Sequence, residues 1–148
     1  MVSTKTGFTA EERAAMQQRA EELRSTKGLK GAAKLAKELE ACGAAVEALE
    51  GVDGEVATML HRIVGDVAPD LNPKTFYGFP AYANDEGKVV VFYQPASKFK
   101  TRYGTVSFDE HAALDDGVMW GVSFAVIEVN ADVEARVRAL VAKAIGKG

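Results

Sequence analysis

Cysteine, histidine and proline are scarce in this sequence, and the shortages exclude several classes of protein. The chain has 148 residues, of which one is Cys, two are His and four are Pro. The single cysteine, Cys42, excludes an intrachain disulfide and argues against a thiolate zinc site. No run approaches the roughly 18–20 apolar residues of a membrane span, and the first nine residues lack an apolar signal core. The sequence therefore predicts a cytoplasmic protein.

The sequence also lacks an excess of basic residues. Its formal net charge is −3, whereas nonspecific nucleic-acid binding depends mainly on Lys and Arg that neutralise phosphates. Hydrophobic residues make up 47% and charged residues 26% of the chain, which is typical of a globular domain. The length suits one domain, or one domain with a small helical extension.

Motifs for nucleophilic catalysis and for cofactor binding are absent too. Ser107 and Ser123 do not lie in a Gly-x-Ser-x-Gly elbow and have no histidine at a recognised spacing. Gly28 and Gly31 lie between predicted helices and not after a strand, so they do not form a phosphate or dinucleotide loop. The sequence favours a non-enzymatic protein with no catalytic residue and no cofactor. An enzyme would need a constellation that only the fold assembles.

Metal ligands are not clustered at a usable spacing. Neither His61 nor His111 has a second histidine four residues further on, as a helical site with two histidine ligands would require. His111 is close in sequence to Asp115 and Asp116, but we interpret this segment as a solvated acidic loop. We therefore predict no metal-binding residue.

The N-terminal part of the sequence predicts two helices that form an antiparallel hairpin. Thr9-Ala-Glu-Glu12 is a capping box that begins the first helix. A loop at 25–31 leads to a second helix, about Ala32 to Leu49, in which Gly43 is a possible break. Apolar residues of this helix recur at alternating spacings of four and three, which predicts a buried seam made of Leu35, Leu39, Cys42, Val46 and Leu49.

Two later helices have the clearest amphipathic patterns in the chain. Asp53 is predicted to cap the first of them, which ends before Pro69, and Asn130 is predicted to cap the second. Both should cover a sheet with their apolar stripes. The stripes are Val56, Met59, Leu60, Ile63, Val64 and Val67 in the first helix, and Val133, Val137, Leu140, Val141, Ala144 and Ile145 in the second.

An aromatic-rich stretch, Thr75–Tyr103, lies between these two helices and predicts most of the sheet. It contains four of the seven Phe and all four Tyr. Gly78 and Pro80 interrupt the first strand pair, so we expect a bend there on an edge strand. Asn84–Gly87 is a hairpin loop, and Lys88–Gln94, apolar on both faces, is a central strand.

Two more predicted strands, Lys98–Val106 and Val118–Val129, complete the sheet. The resulting fold class is α+β, a two-layer sandwich of helix, antiparallel sheet and helix, preceded by an N-terminal helical hairpin. We divide the chain into a helical extension, residues 1–45, and an α+β domain, residues 46–148.

The one chemical feature is a predicted basic strand face. Alternate residues of a strand point the same way, about 6.6–7 Å apart, and here they are Lys98, Lys100 and Arg102. Such cations with nearby aromatic rings can hold a carboxylate, a phosphate or a nucleic-acid strand. The alternative is a solvated face whose cations pair with Glu128, Asp115 or Asp116. The candidate ligand-binding residues are Tyr77, Tyr82, Lys98, Lys100, Arg102 and Trp120.

The chain from Val46 to Ile145 resembles the bacterial YdhG-like proteins, a domain of unknown function. The residues that carry the resemblance are Pro69-Asp70, Lys74–Tyr82 (KTFYGFPAY), Lys98–Tyr103 (KFKTRY), and Trp120 followed by Ser123-Phe124. The resemblance implies a frataxin-like fold. It also implies an iron chaperone, which would bind iron through exposed carboxylates of its first core helix and its edge strand. That helix offers only Glu55 and Asp66 here.

Three functional hypotheses follow. The first is a non-enzymatic domain that binds a small anionic ligand or a protein partner through its sheet face. The alternative is a frataxin-like intracellular iron chaperone. The second alternative is nucleic-acid binding through the basic face of Lys98, Lys100 and Arg102.

Overall fold

The computed structural model describes residues 7–147 and begins with three helices. Residues 1–6 and residue 148 lie outside the described part. The prediction that the chain lacks a signal core depends mostly on residues 1–6. No helix within residues 7–147 is long and apolar enough to cross a membrane. The elements are α1 (Ala10–Ser25), α2 (Gly31–Ala48), α3 (Gly51–Val67), β1 (Asn72–Phe76), β2 (Phe79–Ala83), β3 (Val89–Gln94), α4 (Ala96–Phe99), β4 (Gly104–Phe108), β5 (Ser123–Val126) and α5 (Ala131–Ala144).

The five strands form one antiparallel sheet in chain order, β1-β2-β3-β4-β5. The predicted α+β class, with helices before an antiparallel sheet, is confirmed. The predicted central strand is β3, the third of the five, and the loop at Asn84–Gly87 joins it to β2. β1 and β5 are the two terminal strands of the sheet.

The helices α3 and α5 pack against each other, α3 also contacts β2 and β3, and both helices share one buried cluster with residues of the sheet. Leu60 and Ile63 of α3 are fully buried, and Val141 of α5 is buried in the same cluster. Strand residues Tyr82 and Tyr93 complete this core. The amphipathic stripe of α3 is confirmed, because all its members are buried except the half-buried Val67. The helix caps at Thr9 and Asn130 are also as predicted.

The predicted seam of α2 is only half correct. Cys42 and Val46 are buried, but Leu35 and Leu39 are about half exposed. The reason is that α1 packs on β1 and α4, whereas α2 packs on β1, β2 and α3. Because α1 packs on β1 and α4 and not along α2, no long helix–helix interface buries Leu35 and Leu39. Position 45, the predicted domain boundary, falls inside α2.

Gly43 does not break α2, which continues through it. A Cβ at this position would meet no atom within 4 Å. Because Gly costs about 0.5–1 kcal/mol relative to Ala inside a helix, Gly43→Ala should raise the free energy of unfolding by that amount in urea denaturation. Gly87→Ala is the control and should lower stability, since Gly87 has φ +79°. A loss of stability in Gly43→Ala would contradict the prediction.

Pro80 lies in β2, so its prediction as part of an edge strand is wrong, because β2 is an interior strand. Pro80 pairs with Thr75 of β1, and the registered pairs between β2 and β3 begin only at Ala81. Its missing N–H therefore removes no bond from that ladder. Gly78 lies in the turn between β1 and β2 and not in a bent strand.

Candidate functional site

The basic strand face is wrong as a structural prediction, because residues 98–102 are not a strand. Lys98 lies in the helical turn α4, and Lys100, which follows it, has left-handed backbone with φ 55°. Arg102 is exposed, and its guanidinium lies 4.9 Å from the centroid of the Tyr103 ring. The strand β4 begins only at Gly104. That Lys98, Lys100 and Arg102 bind a ligand stays a prediction.

A buried carboxylate explains why a helical turn replaces the strand. Oδ1 of Asp53 accepts hydrogen bonds from the Tyr93 hydroxyl at 2.6 Å and the Ala96 N–H at 2.9 Å, and Oδ2 accepts one from the Ser97 N–H at 3.0 Å. A carboxylate that receives the first N–H groups of a turn stabilises the helical conformation. The predicted N-cap role of Asp53 in α3 is wrong, since Glu50 occupies that position. Asp53 caps α4 instead.

Hydrogen bonding keeps Asp53 charged. Burial alone raises the pKa of its carboxyl, but the hydrogen bonds from Tyr93, Ser97 and Ala96 outweigh burial and bring the pKa below its ordinary value. Burial, together with the Asp53 carboxylate, raises the pKa of the Tyr93 hydroxyl. At neutral pH the pair is therefore an anion and a neutral donor, and it links α3 to β3 and α4 structurally.

The turn between β1 and β2 receives a carboxylate from α1. Tyr77 and Gly78 have φ 53° and 84°, which is the left-handed pair that a type I′ hairpin turn requires. The carboxylate of Glu22 accepts the Tyr77 N–H at 3.1 Å with one oxygen and the Gly78 N–H at 2.7 Å with the other. The Arg19 guanidinium lies 3.4 Å from the same carboxylate. We call Tyr77, Gly78, Glu22, Arg19 and Lys98 the turn site.

Two of the predicted cations lie beside α1. Lys98 Nζ is 2.8 Å from the point that a Cβ of Gly78 would occupy. Lys100 Nζ lies 3.2 Å from the Glu11 carboxylate of α1, and the hydrogen bond from Lys100 lowers the pKa of Glu11. The structure thus brings Tyr77, Lys98 and Lys100 together with carboxylates of α1.

Tyr82 lies apart from these residues, inside the core. It is fully buried, and its hydroxyl lies 2.9 Å from Nδ1 of His61. Burial raises the pKa of Tyr82, and it also raises the pKa of the neighbouring thiol of Cys42. Cys42 is the small core residue that the sequence predicted. Tyr82 has no exposed surface through which it could touch a ligand.

Trp120 lies in a third place, an exposed segment before β5. The predicted strand Val118–Val129 is shortened to Ser123–Val126, because β4 ends at Phe108 and no strand lies opposite the residues before Val122. Val118 is 101% exposed, Met119 85% and Trp120 40%. We define the apolar edge surface as Val118, Met119, Trp120, Val122, Ile127 and the outer edge of β5.

The edge of β5 adjoins an apolar groove. Among the described strands, β5 pairs only with β4. Between β5 and α5 a groove is lined mainly by apolar side chains, with Arg136 as its charged member. The apolar lining includes Phe124, Val133, Val137 and Leu140. The groove has a volume of about 520 Å³.

The described residues contain no group of three or more His, Cys, Asp or Glu side chains that could hold a metal ion. His111, Asp115 and Asp116 are exposed. On the first core helix, Asp66 is paired with Arg138 at 3.0 Å, and Glu55 is exposed.

No family model, no curated protein and no solved structure matches this chain. The resemblance to the YdhG-like proteins and the frataxin-like fold that it implies therefore stay predictions. The apolar edge surface and the turn site are the two features of the described residues from which we infer a function.

Sequence reasoning missed the residues that define both places. Glu22 was one of several interleaved charges on a helix, and its partners Tyr77 and Gly78 are 55 and 56 positions away. Val118 and Met119 were assigned to a strand because they are apolar. The flanking Gly117 and Gly121, which bracket them, were a sign that the segment is irregular.

Proposed function

We propose that this protein is a non-enzymatic partner-binding domain, and that its apolar edge surface binds an extended segment of another protein chain. The observation that carries the proposal is a group of exposed apolar side chains in the segments immediately before and after a terminal strand. Val118, Met119, Trp120 and Val122 precede β5, and Ile127 follows it.

Exposed apolar side chains of this size are unfavourable in water when they are adjacent. A single one is ordinary, but a patch of them marks an interaction site. Full burial of an aliphatic side chain contributes about 1.5–3 kcal/mol. A partner that covers Val118, Met119 and Ile127 therefore gains a large part of the free energy that a specific complex needs.

The edge of β5 favours an extended partner segment over a helix or a small molecule. A terminal strand presents backbone N–H and C=O groups that another strand can pair with. Protected edges usually contain Lys, Pro or a bulge, and Ser123–Val126 contains no Lys or Pro. The groove between β5 and α5 would take the alternate side chains of the added strand.

Photo-crosslinking in cells tests the proposal. A photoreactive amino acid at position 119 should yield a discrete adduct with a partner, while the same group at exposed position 27 should not. The purified partner should then shift the emission of Trp120, which is the only tryptophan in the chain. Trp120 lies in the apolar edge surface, so its emission reports this site. An adduct of two copies of the chain would show that the apolar edge surface binds a second copy, and would contradict the proposal of a different protein partner.

Val118→Asp combined with Met119→Asp should weaken partner binding at least tenfold. Both side chains are almost fully exposed, so the free energy of unfolding should change by less than about 0.5 kcal/mol. Titration of Trp120 emission measures the affinity, and urea denaturation measures the stability. Lys27→Asp is the control and should bind normally. Unchanged affinity in the double variant would contradict the proposal.

A further inference from the structure

We propose that the turn site is an oxyanion-binding site of the core, and that the carboxylate of Glu22 occupies it in cis. The ligand class is a molecule that bears a carboxylate or phosphate group. Binding of such a ligand displaces Glu22 and competes with the docking of α1 on the sheet.

The backbone donors of the turn point at one anion. The N–H groups of Tyr77 and Gly78 are successive, and both donate to one carboxylate. Successive N–H groups in a left-handed turn form a concave anion site. The Glu22 side chain is only 9% exposed there, so the site already holds an anion and shields it from water.

The ammonium of Lys98 lies beside Gly78. Lys98 is half-buried as a residue and forms no ion pair within residues 7–147. A cation next to an anion site has capacity for a second oxyanion contact. Glu22 leaves this capacity unused, because its carboxylate is not within 4.0 Å of Lys98 Nζ.

A cleft with a volume of about 290 Å³ adjoins the site and is bounded by α1, α2 and β1. When α1 leaves with Glu22 and Arg19, the lining that α2 and β1 contribute still has more cations than carboxylates. The cations are Lys34, Lys37 and Lys74, and the carboxylates are Glu38 and Glu40. An oxyanion bound to the turn can therefore carry a further group towards a positively charged surface of α2 and β1.

Release of α1 exposes little apolar surface. Ala15 is its only buried residue, and Met16 and Leu23 are exposed. Polar contacts join it to the rest of the fold, from Glu22 to the turn, from Glu11 to Lys100, and from Arg19 to the Phe76 ring. Little apolar burial opposes its displacement when an anion replaces Glu22.

NMR titration of the full-length Glu22→Ala variant tests the proposal. Sodium phosphate and sodium acetate are the probes, with sodium chloride at the same ionic strength as reference. The amide resonances of Tyr77 and Gly78 should shift and saturate with phosphate, acetate or both, and the tighter of the two identifies the preferred group. The wild type should need at least a tenfold higher concentration, because Glu22 competes.

Adding Lys98→Ala to Glu22→Ala should weaken binding at least threefold. Glu22→Ser is a second opened variant and should bind as Glu22→Ala does. Glu21→Ala, on the exposed side of the same helix, should behave as the wild type. Shifts that do not saturate, that equal those in chloride, or that are the same in wild type and opened variants would overturn the proposal. Binding that survives Lys98→Ala unchanged would overturn the role of Lys98.

Discussion

Asp53→Ala should lower the free energy of unfolding by about 3–5 kcal/mol, since each buried polar group left without a partner costs about 1–3 kcal/mol. The substitution removes the acceptor of the buried Tyr93 hydroxyl. It also removes the acceptor of the Ala96 and Ser97 N–H groups, which begin α4. We expect α4 to lose its helical conformation in this variant.

Urea denaturation followed by circular dichroism measures this effect. Glu55→Ala is a matched control, because Glu55 is an exposed carboxylate on the same helix. It should change stability by less than about 0.5 kcal/mol. If Asp53→Ala lowers the free energy of unfolding by less than about 1 kcal/mol, water can replace the hydrogen bonds that Asp53 accepts from Tyr93, Ala96 and Ser97.

The pH dependence of Asp53→Asn separates the charge from the shape of this side chain. The folded-state pKa of Asp53 lies below its ordinary value of 3.8, so its contribution is fully present above that value. The contribution is lost as the pH falls through the folded-state pKa. The difference in stability between wild type and Asp53→Asn should therefore be constant at neutral pH and should shrink below about pH 4.

Gly104→Ala should lower the free energy of unfolding by about 2–3 kcal/mol, within the range for overpacked cores. A Cβ at Gly104 would overlap the hydroxyl and the ring of Tyr93. The ring cannot move aside cheaply, because Asp53 holds its hydroxyl at 2.6 Å. The substitution thus disturbs the network that Asp53→Ala removes.

A double-mutant cycle tests this cause. Tyr93→Leu removes all three of the Tyr93 atoms that the new methyl group meets, so Gly104→Ala should cost at least 1 kcal/mol less in that background, within the usual size of couplings between residues in contact. Gly43→Ala is the control for the Gly-to-Ala change, since it has open space. If the effects of the two substitutions on the free energy of unfolding were additive, the loss of stability in Gly104→Ala would not come from overlap with Tyr93.

Sequence reasoning was successful where a pattern is local. The capping box at Thr9–Glu12, the stripe of α3, the hairpin loop at Asn84–Gly87 and the Asn130 cap are each complete within a few turns or residues. Their hydrogen bonds and apolar contacts follow from helix and turn geometry alone. The α+β class could be predicted because these local elements leave few ways to bury their apolar faces.

Errors arose where a side chain has its partner far along the chain. Alternation alone predicted a strand that begins at Lys98. Instead, the carboxylate of Asp53, more than 40 positions away, accepts the N–H groups of Ala96 and Ser97 and favours the helical turn Ala96–Phe99. The helix containing Leu35 and Leu39 was predicted correctly, but the partner that would have buried them packs elsewhere. Trp120 was assigned to a strand, because sequence does not show where the neighbouring strand ends.

The sequence by itself determined the four long helices, most of the strands, the buried character of Cys42 and the lack of a recognisable catalytic motif. Tertiary structure decided that Glu22 occupies the Tyr77–Gly78 turn and that residues 118–122 stay exposed beside β5. The physical reason is the sequence separation over which each interaction acts. Helix and strand periodicity depends on residues that are close in sequence. The hydrogen-bond donors of a carboxylate and the free edge of a strand are set only when distant parts of the chain have folded together.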